Sequence, residues 1–97
     1  MLDIDKDFYT RANAYIAVAN AQCDGSIGVK RISASFMYAM ARFNSWANAT
    51  DYDSGNQMKE TRDAVIDGLV ADFKAMLEHN MDDHIDNYDR LMTPPKE

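Results

Sequence analysis

Cysteine is nearly absent from this 97-residue sequence, in which Cys23 is the single example. A single cysteine cannot form a disulfide within the chain. The sequence also has no positively charged segment followed by an apolar run, and no uninterrupted apolar stretch near the roughly 20 residues that cross a bilayer. We therefore expect no secretory signal, no membrane partner and a cytoplasmic location.

Proline is confined to the end of the sequence, where residues 93–97 read TPPKE. Because proline lacks the N–H that a helix requires, we expect these five residues to form a disordered tail. We assign residues 1–92 to a single helical domain, since a chain of this length buries roughly two-thirds of its unfolded surface. The apolar fraction of 46% is sufficient for a core without metal ions or disulfides.

Positive charge is scarce, with 10 lysines and arginines against 16 aspartates and glutamates, for a net charge of −6. Much of the excess lies in residues 72–89, the acidic segment, which holds six carboxylates and Lys74 as its single cation. Such a surface repels phosphate backbones, so we expect no nucleic-acid partner. The acidic segment forms either a solvated helix face, which we favour, or a docking surface for a basic partner.

Catalytic motifs are lacking as well, since no serine or cysteine lies in a recognisable nucleophile motif. Residue types that bind metals cluster within residues 78–89, where His79 and Asp83 are four apart and share a helix face. Neither His-Glu-x-x-His nor Glu-x-x-His occurs there. We predict no cofactor and no enzyme activity. The alternative function is metal or small-molecule binding by residues 78–89, with His79 and Asp83 as candidate ligands.

Apolar residues at helical spacing are what the sequence has in quantity. Residues 33–49 carry one apolar line, which consists of Phe36, Met40, Phe43 and Ala47. Ser33 is the predicted N-cap, and Ile32 with Met37 the predicted hydrophobic staple. A helix with so little polar surface is covered on more than one side, so we expect Phe36 and Phe43 at the centre of the core.

Two further helices are predicted on either side of this one. Residues 5–23 form the first, with Asp5 as its N-cap and Cys23 as a small core residue. The other runs from about Gln57 towards Leu91, after a capping box formed by Ser54 and Gln57. Its apolar stripe, the long stripe, consists of Ile66, Val70, Phe73, Leu77, Met81, Ile85, Tyr88 and Met92. A kink near His79 is an alternative to one continuous helix, which we favour.

The predicted lengths of the three helices differ. At ~1.5 Å per residue the third helix spans roughly 50 Å and the first two roughly 25 to 30 Å. The end of the third helix therefore overhangs, and we expect a second copy of the chain to cover it. The predicted dimer contacts are Met81, Ile85, Tyr88 and Leu91. We predict an all-α, three-helix domain, with two shorter helices packed on a long C-terminal helix, that acts as a homodimeric interaction or regulatory module for an unidentified protein partner.

Two patterns carry a family resemblance: FYxRAxAxIxxAN at residues 8–20 and SASxxYAxARFN at residues 33–44. Together they resemble a small family of uncharacterised proteobacterial proteins, a domain of unknown function, and the likeness is looser in the third helix. The resemblance implies a bacterial cytoplasmic origin and no reaction. It also singles out Arg11, Asn20, Tyr38, Arg42 and Asn44.

Arg42 is the one full charge within residues 33–49. We predict that its guanidinium bonds to a carboxylate or to Asn13 or Asn20, because leaving a buried guanidinium unpaired is costly. Surface asparagines are the simpler alternative. The predicted polar network between the first two helices consists of Arg11, Asn13, Asn20, Tyr38, Arg42 and Asn44.

Overall fold

The computed structural model describes residues 2–92, which fold into α-helices without any strand. α1 spans Phe8–Gln22, α2 spans Val29–Ala49, α3 spans Gly55–Asp86, and the short α4 spans Tyr88–Met92. The predicted all-α class, with two shorter helices and a much longer third, is confirmed, and α4 is an addition to it. The predicted tail, residues 93–97, lies outside the described residues.

An ion pair forms just before α1. The carboxylate of Asp5 accepts hydrogen bonds from the Arg11 guanidinium at 2.6 and 3.1 Å, and another from the N–H of Asp7 at 3.2 Å. These bonds, the one from Arg11 foremost, lower the pKa of Asp5 from 3.8 to about 2. Asp5 is therefore not the N-cap that we expected, because α1 begins at Phe8 with Asp7 at the cap position.

The connection between α1 and α2 is closed by the side chain of Asp24. Its carboxylate accepts hydrogen bonds from the hydroxyl and N–H of Ser26 and from the N–H of Ile27. The bonds from Ser26 are the main cause of a lowered pKa at Asp24. The N-cap of α2 is Gly28 and the helix begins at Val29, five residues before the start predicted with Ser33 as N-cap. The prediction of Ser33 as N-cap is therefore wrong, since Ser33 lies inside the helix.

The start of α3 confirms the predicted capping pair. Ser54 accepts a hydrogen bond from the N–H of Gln57 at 3.3 Å, and the Gln57 side chain accepts one from the N–H of Asp53 at 2.9 Å. The return bond thus reaches one residue before Ser54. The helix then runs through His79 without a break. Its interruption comes at Asn87, whose side-chain amide donates to the carboxylate and carbonyl of Asp83 at 2.8 and 3.2 Å.

Backbone contacts divide the chain into two units, one of residues 2–58 and the other from Lys59 onward. In the first unit α1 and α2 contact each other as a helix hairpin. Ile32 lies in this hairpin and, at 9% exposure, is the one side chain classed as buried within residues 2–92. In the second unit α4 follows α3 along the chain, so no further helix of the same unit covers the long stripe. The assignment of residues 1–92 to a single domain stays a prediction.

Three predicted core residues lie at the surface, and the first of them, Phe36, is 37% exposed. Phe43 is 62% exposed, with its ring centroid 5.5 Å from that of Trp46. Cys23 is also exposed, and its thiol donates to the carbonyl of Ala19. The prediction that Phe36, Phe43 and Cys23 are core residues is therefore wrong for the single chain. For the two phenylalanines the reason is that the apolar face of the hairpin forms an open groove.

Candidate interaction surface

An apolar groove of about 680 Å³ runs along one face of the α1–α2 hairpin. From α1 it is lined by Tyr15, Val18, Ala19 and Gln22. From α2 it is lined by Ile32, Ser35, Phe36, Ala39, Met40, Phe43 and Asn44. Phe36, Met40 and Phe43 belong to the predicted apolar line of α2. The line therefore forms one face of the helix as predicted, but this face is open and not covered. We call this surface the hairpin groove.

The charges on the hairpin helices have one sign. α1 and α2 carry Arg11, Lys30, Arg31 and Arg42 and no aspartate or glutamate. Arg31 and Arg42 stand four residues before and seven residues after Ser35, a groove residue, so the three side chains share one edge of α2. The hairpin groove is thus an apolar surface with cations along its edge.

The last turns of α3 present the second apolar surface. Ile85 is 67% exposed and Tyr88, the first residue of α4, is 61% exposed. We define the distal stripe as Leu77, Met81, Ile85 and Tyr88, all exposed. Three of the predicted dimer contacts belong to it, and the fourth, Leu91, is also exposed. Five carboxylates and Lys74 occupy residues 72–86 around this stripe.

The residues of the predicted polar network are not brought together in residues 2–92. Arg11 pairs with Asp5, and Asn20 accepts a bond from the N–H of Cys23 through its carbonyl oxygen. Asn44 lines the hairpin groove, half-buried. Asn13, Tyr38 and Arg42 are exposed. Within residues 2–92 no hydrogen bond links Arg42 to Asn13, to Asn20 or to a carboxylate, so the predicted network is not formed within one chain.

The metal-binding alternative finds no cluster in the described part of the chain. Across residues 2–92, no three side chains of His, Cys, Asp or Glu gather closely enough to hold a metal ion. Asp83 accepts a bond from Asn87, and the Nδ1 of His84 lies 2.9 Å from the Asn80 carbonyl oxygen. Because a carbonyl only accepts, His84 donates from Nδ1. His79 and Asp83 therefore belong to an exposed helix face without a third ligand.

The sequence does not identify the contribution of α1 to the hairpin groove. Tyr15 and Ala19 stand eight and four residues before Cys23 and share its side of α1, which we expected to face the core. Gln22 and Asn44 are the signal that points to a surface, since polar amides at the ends of an apolar line are typical of a groove in contact with water. No helix within residues 2–92 is long and apolar enough to cross a membrane.

The fold and its surfaces define a class: an all-α protein with a helix hairpin that presents an apolar groove and a long acidic helix that presents an apolar stripe. The chain belongs to the family described as protein of unknown function DUF3144, whose model matches residues 8–85. This agrees with the resemblance in the sequence patterns.

A solved structure supports the same architecture. The chain is similar to the protein NB7890A from Shewanella sp, whose structure was determined by NMR, with 34% identity and a TM-score of 0.75. The similarity covers 98% of this chain and 100% of that chain. No curated protein matches the chain. The structural neighbour thus supports the fold, and neither its name nor the family description gives an activity.

Proposed function

We propose that this protein is a homodimeric helical module for protein–protein interaction or regulation. The observation that carries the proposal is the distal stripe, which is exposed over about three turns of helix and has no covering helix in its own unit within the described residues. Helices derive most of their stability from packing of an apolar face, so a helix of 32 residues with its stripe in water requires a partner.

The helix lengths support a second copy as that partner. α3 has 32 residues and α2 has 21, which corresponds to about 48 and 32 Å. No other helix within residues 2–92 is long enough to cover all of α3. Two-fold pairing is the commonest closed arrangement of identical chains. The proposal includes a bacterial cytoplasmic protein, and the similarity to a Shewanella protein supports the bacterial part. Cell fractionation tests the location.

Light scattering after size exclusion, run down a dilution series, tests the dimer. We expect twice the chain mass at high micromolar concentration. Ile85→Ala should raise the dissociation constant by about tenfold or more, because burial of an isoleucine side chain is worth roughly 1.5–3 kcal/mol. A chain mass at every concentration, with full helicity, contradicts the proposal.

The matched control for Ile85→Ala is His79→Ala. His79 stands two residues before Met81, which places it on the other side of α3 from the distal stripe. We expect the dissociation constant of His79→Ala to equal that of the wild type. Equal loss of dimer in both variants would mean that the substitutions weaken the helix in general and not an interface.

A further inference from the structure

We infer that, in the dimer proposed above, the distal stripe of one copy docks into the hairpin groove of the other. This inference rests on the proposed function and names its two contact surfaces. The interface is then reciprocal, because each copy supplies one groove and one stripe. Four apolar side chains, one per turn of helix, meet the apolar line of α2.

The two surfaces match in length. Along α2 the groove residues run from Ile32 to Asn44, about 18 Å at 1.5 Å per residue. The distal stripe runs from Leu77 to Tyr88, about 17 Å on the same scale. A stripe of this length fills the groove from end to end, which is the geometry of an amphipathic helix in an apolar groove.

The two surfaces also match in charge. The hairpin helices carry cations and no carboxylate, with Arg31 and Arg42 at the groove edge. The helix around the distal stripe carries five carboxylates in residues 72–86 and Lys74 as its single cation. Opposite potentials therefore meet across this interface. A dimer in which α3 packs against its own copy would instead place acidic residues against acidic residues.

The reach of the chain favours a second copy over the same chain. Residues 50–54 connect α2 to α3, and α2 is 21 residues long. Only about the first 21 residues of α3 can therefore lie against α2 of the same chain, and Leu77 is the twenty-third residue of α3. The part of α3 that carries the distal stripe is thus left for another chain.

Disulfide formation between two singly substituted chains tests the contact. Both chains carry Cys23→Ser; one also carries Ala39→Cys, and the other, extended by a small tag that separates them by size, carries Met81→Cys. These positions lie near the middle of the groove and of the stripe, so they meet in either helix orientation. We expect the mixed disulfide to be the main product under mild oxidation. Ala41→Cys in place of Ala39→Cys is the matched control, since Ala41 does not line the groove.

Salt dependence gives an independent measurement on the wild-type protein. Because salt screens opposite charges, raising the salt from 50 to 500 mM should increase the dissociation constant by about threefold or more. Arg31→Gln with Arg42→Gln should increase it by about fivefold at low salt. Arg62→Gln is the control, because Arg62 lies in the first part of α3, outside both surfaces, where it pairs with Asp63.

The outcomes separate the inference from the proposed function. A dimer that forms the mixed disulfide and weakens with salt supports both. If the dimer forms no disulfide between the Ala39→Cys and Met81→Cys chains, or if it tightens as salt rises, the docking of the stripe in the groove is overturned while the homodimer stands. A chain mass throughout the dilution series overturns both. Circular dichroism of each variant confirms that it is folded.

Discussion

The α1–α2 hairpin and α3 use the same pattern, apolar residues at helical spacing, with different results. In the hairpin a second helix is close by: Phe8, Ala12 and Ala19 of α1 are half-buried and Ile32 of α2 is buried. From Lys59 onward α3 has no helix of its own unit beside it, and none of its side chains is buried. The periodicity of a sequence thus indicates which face of a helix is covered, but it does not identify the covering element.

Phe43→Ala, in the hairpin, should change the free energy of dimerisation more than any other variant proposed in this comparison changes stability. If the hairpin groove is a binding surface, the loss of this aromatic ring should weaken the dimer by about 2–4 kcal/mol, as at an interface hot spot. Met37→Ala, an exposed residue of α2 outside the groove, should stay within about 0.5 kcal/mol of the wild type. Analytical ultracentrifugation of both variants measures the difference. Equal changes in the dissociation constant of both variants would show that the groove contributes no more to the dimer than the rest of the α2 surface.

Ser54→Ala should act on α3 and leave the hairpin unchanged. It removes the hydroxyl that accepts from the N–H of Gln57, which is worth about 1 kcal/mol at a helix start. Urea unfolding measures the loss. Ser45→Ala, within α2, is the control and should be close to neutral. A neutral Ser54→Ala would show that α3 is held by its packing and not by its cap.

Gly68→Ala also tests α3, but here we expect the free energy of unfolding to increase and not to decrease. Gly68 lies in the middle of α3, and a Cβ added there meets no atom within 4 Å. Alanine should therefore stabilise the protein by about 0.5–1 kcal/mol, because glycine is the poorer helix former. Thermal unfolding provides the measurement. Destabilisation would show that another chain approaches α3 closely at this position.

Asp5→Asn should have the smallest effect, which is present at pH 5 and above and disappears in strong acid. The folded pKa of Asp5, about 2, lies below its ordinary value of 3.8. Its contribution to stability is therefore fully present above pH 3.8 and is lost as pH falls through about 2. Wild type should be the more stable protein at pH 5, and the difference should shrink as pH falls and vanish below about pH 2. Helicity measured against urea at each pH tests this, with Asp3→Asn as the control.

The sequence predicts the helices well because their signals are local. Ser54 and Gln57 mark the start of α3, and the unbroken spacing of the long stripe carries that helix past His79. The start of α2 is predicted too late because a side-chain turn at Asp24 outweighs the cap preference of Ser33. The groove is not predictable from spacing, since Phe43 satisfies the same pattern whether a helix of its own chain or of another chain covers it.

The position of the hairpin before α3 has a consequence for biosynthesis. The turn closed by Asp24 makes the α1–α2 contact local, and local helix contacts form in microseconds to milliseconds. The 32 residues of α3 then take about 2–6 s to synthesise at roughly 5–20 residues per second. Because a chain leaves the ribosome from its N-terminus, each nascent chain holds a finished hairpin, with Phe43 in water, before its own distal stripe emerges. Under the proposed assembly, this delay favours pairing between chains translated next to each other on one messenger RNA.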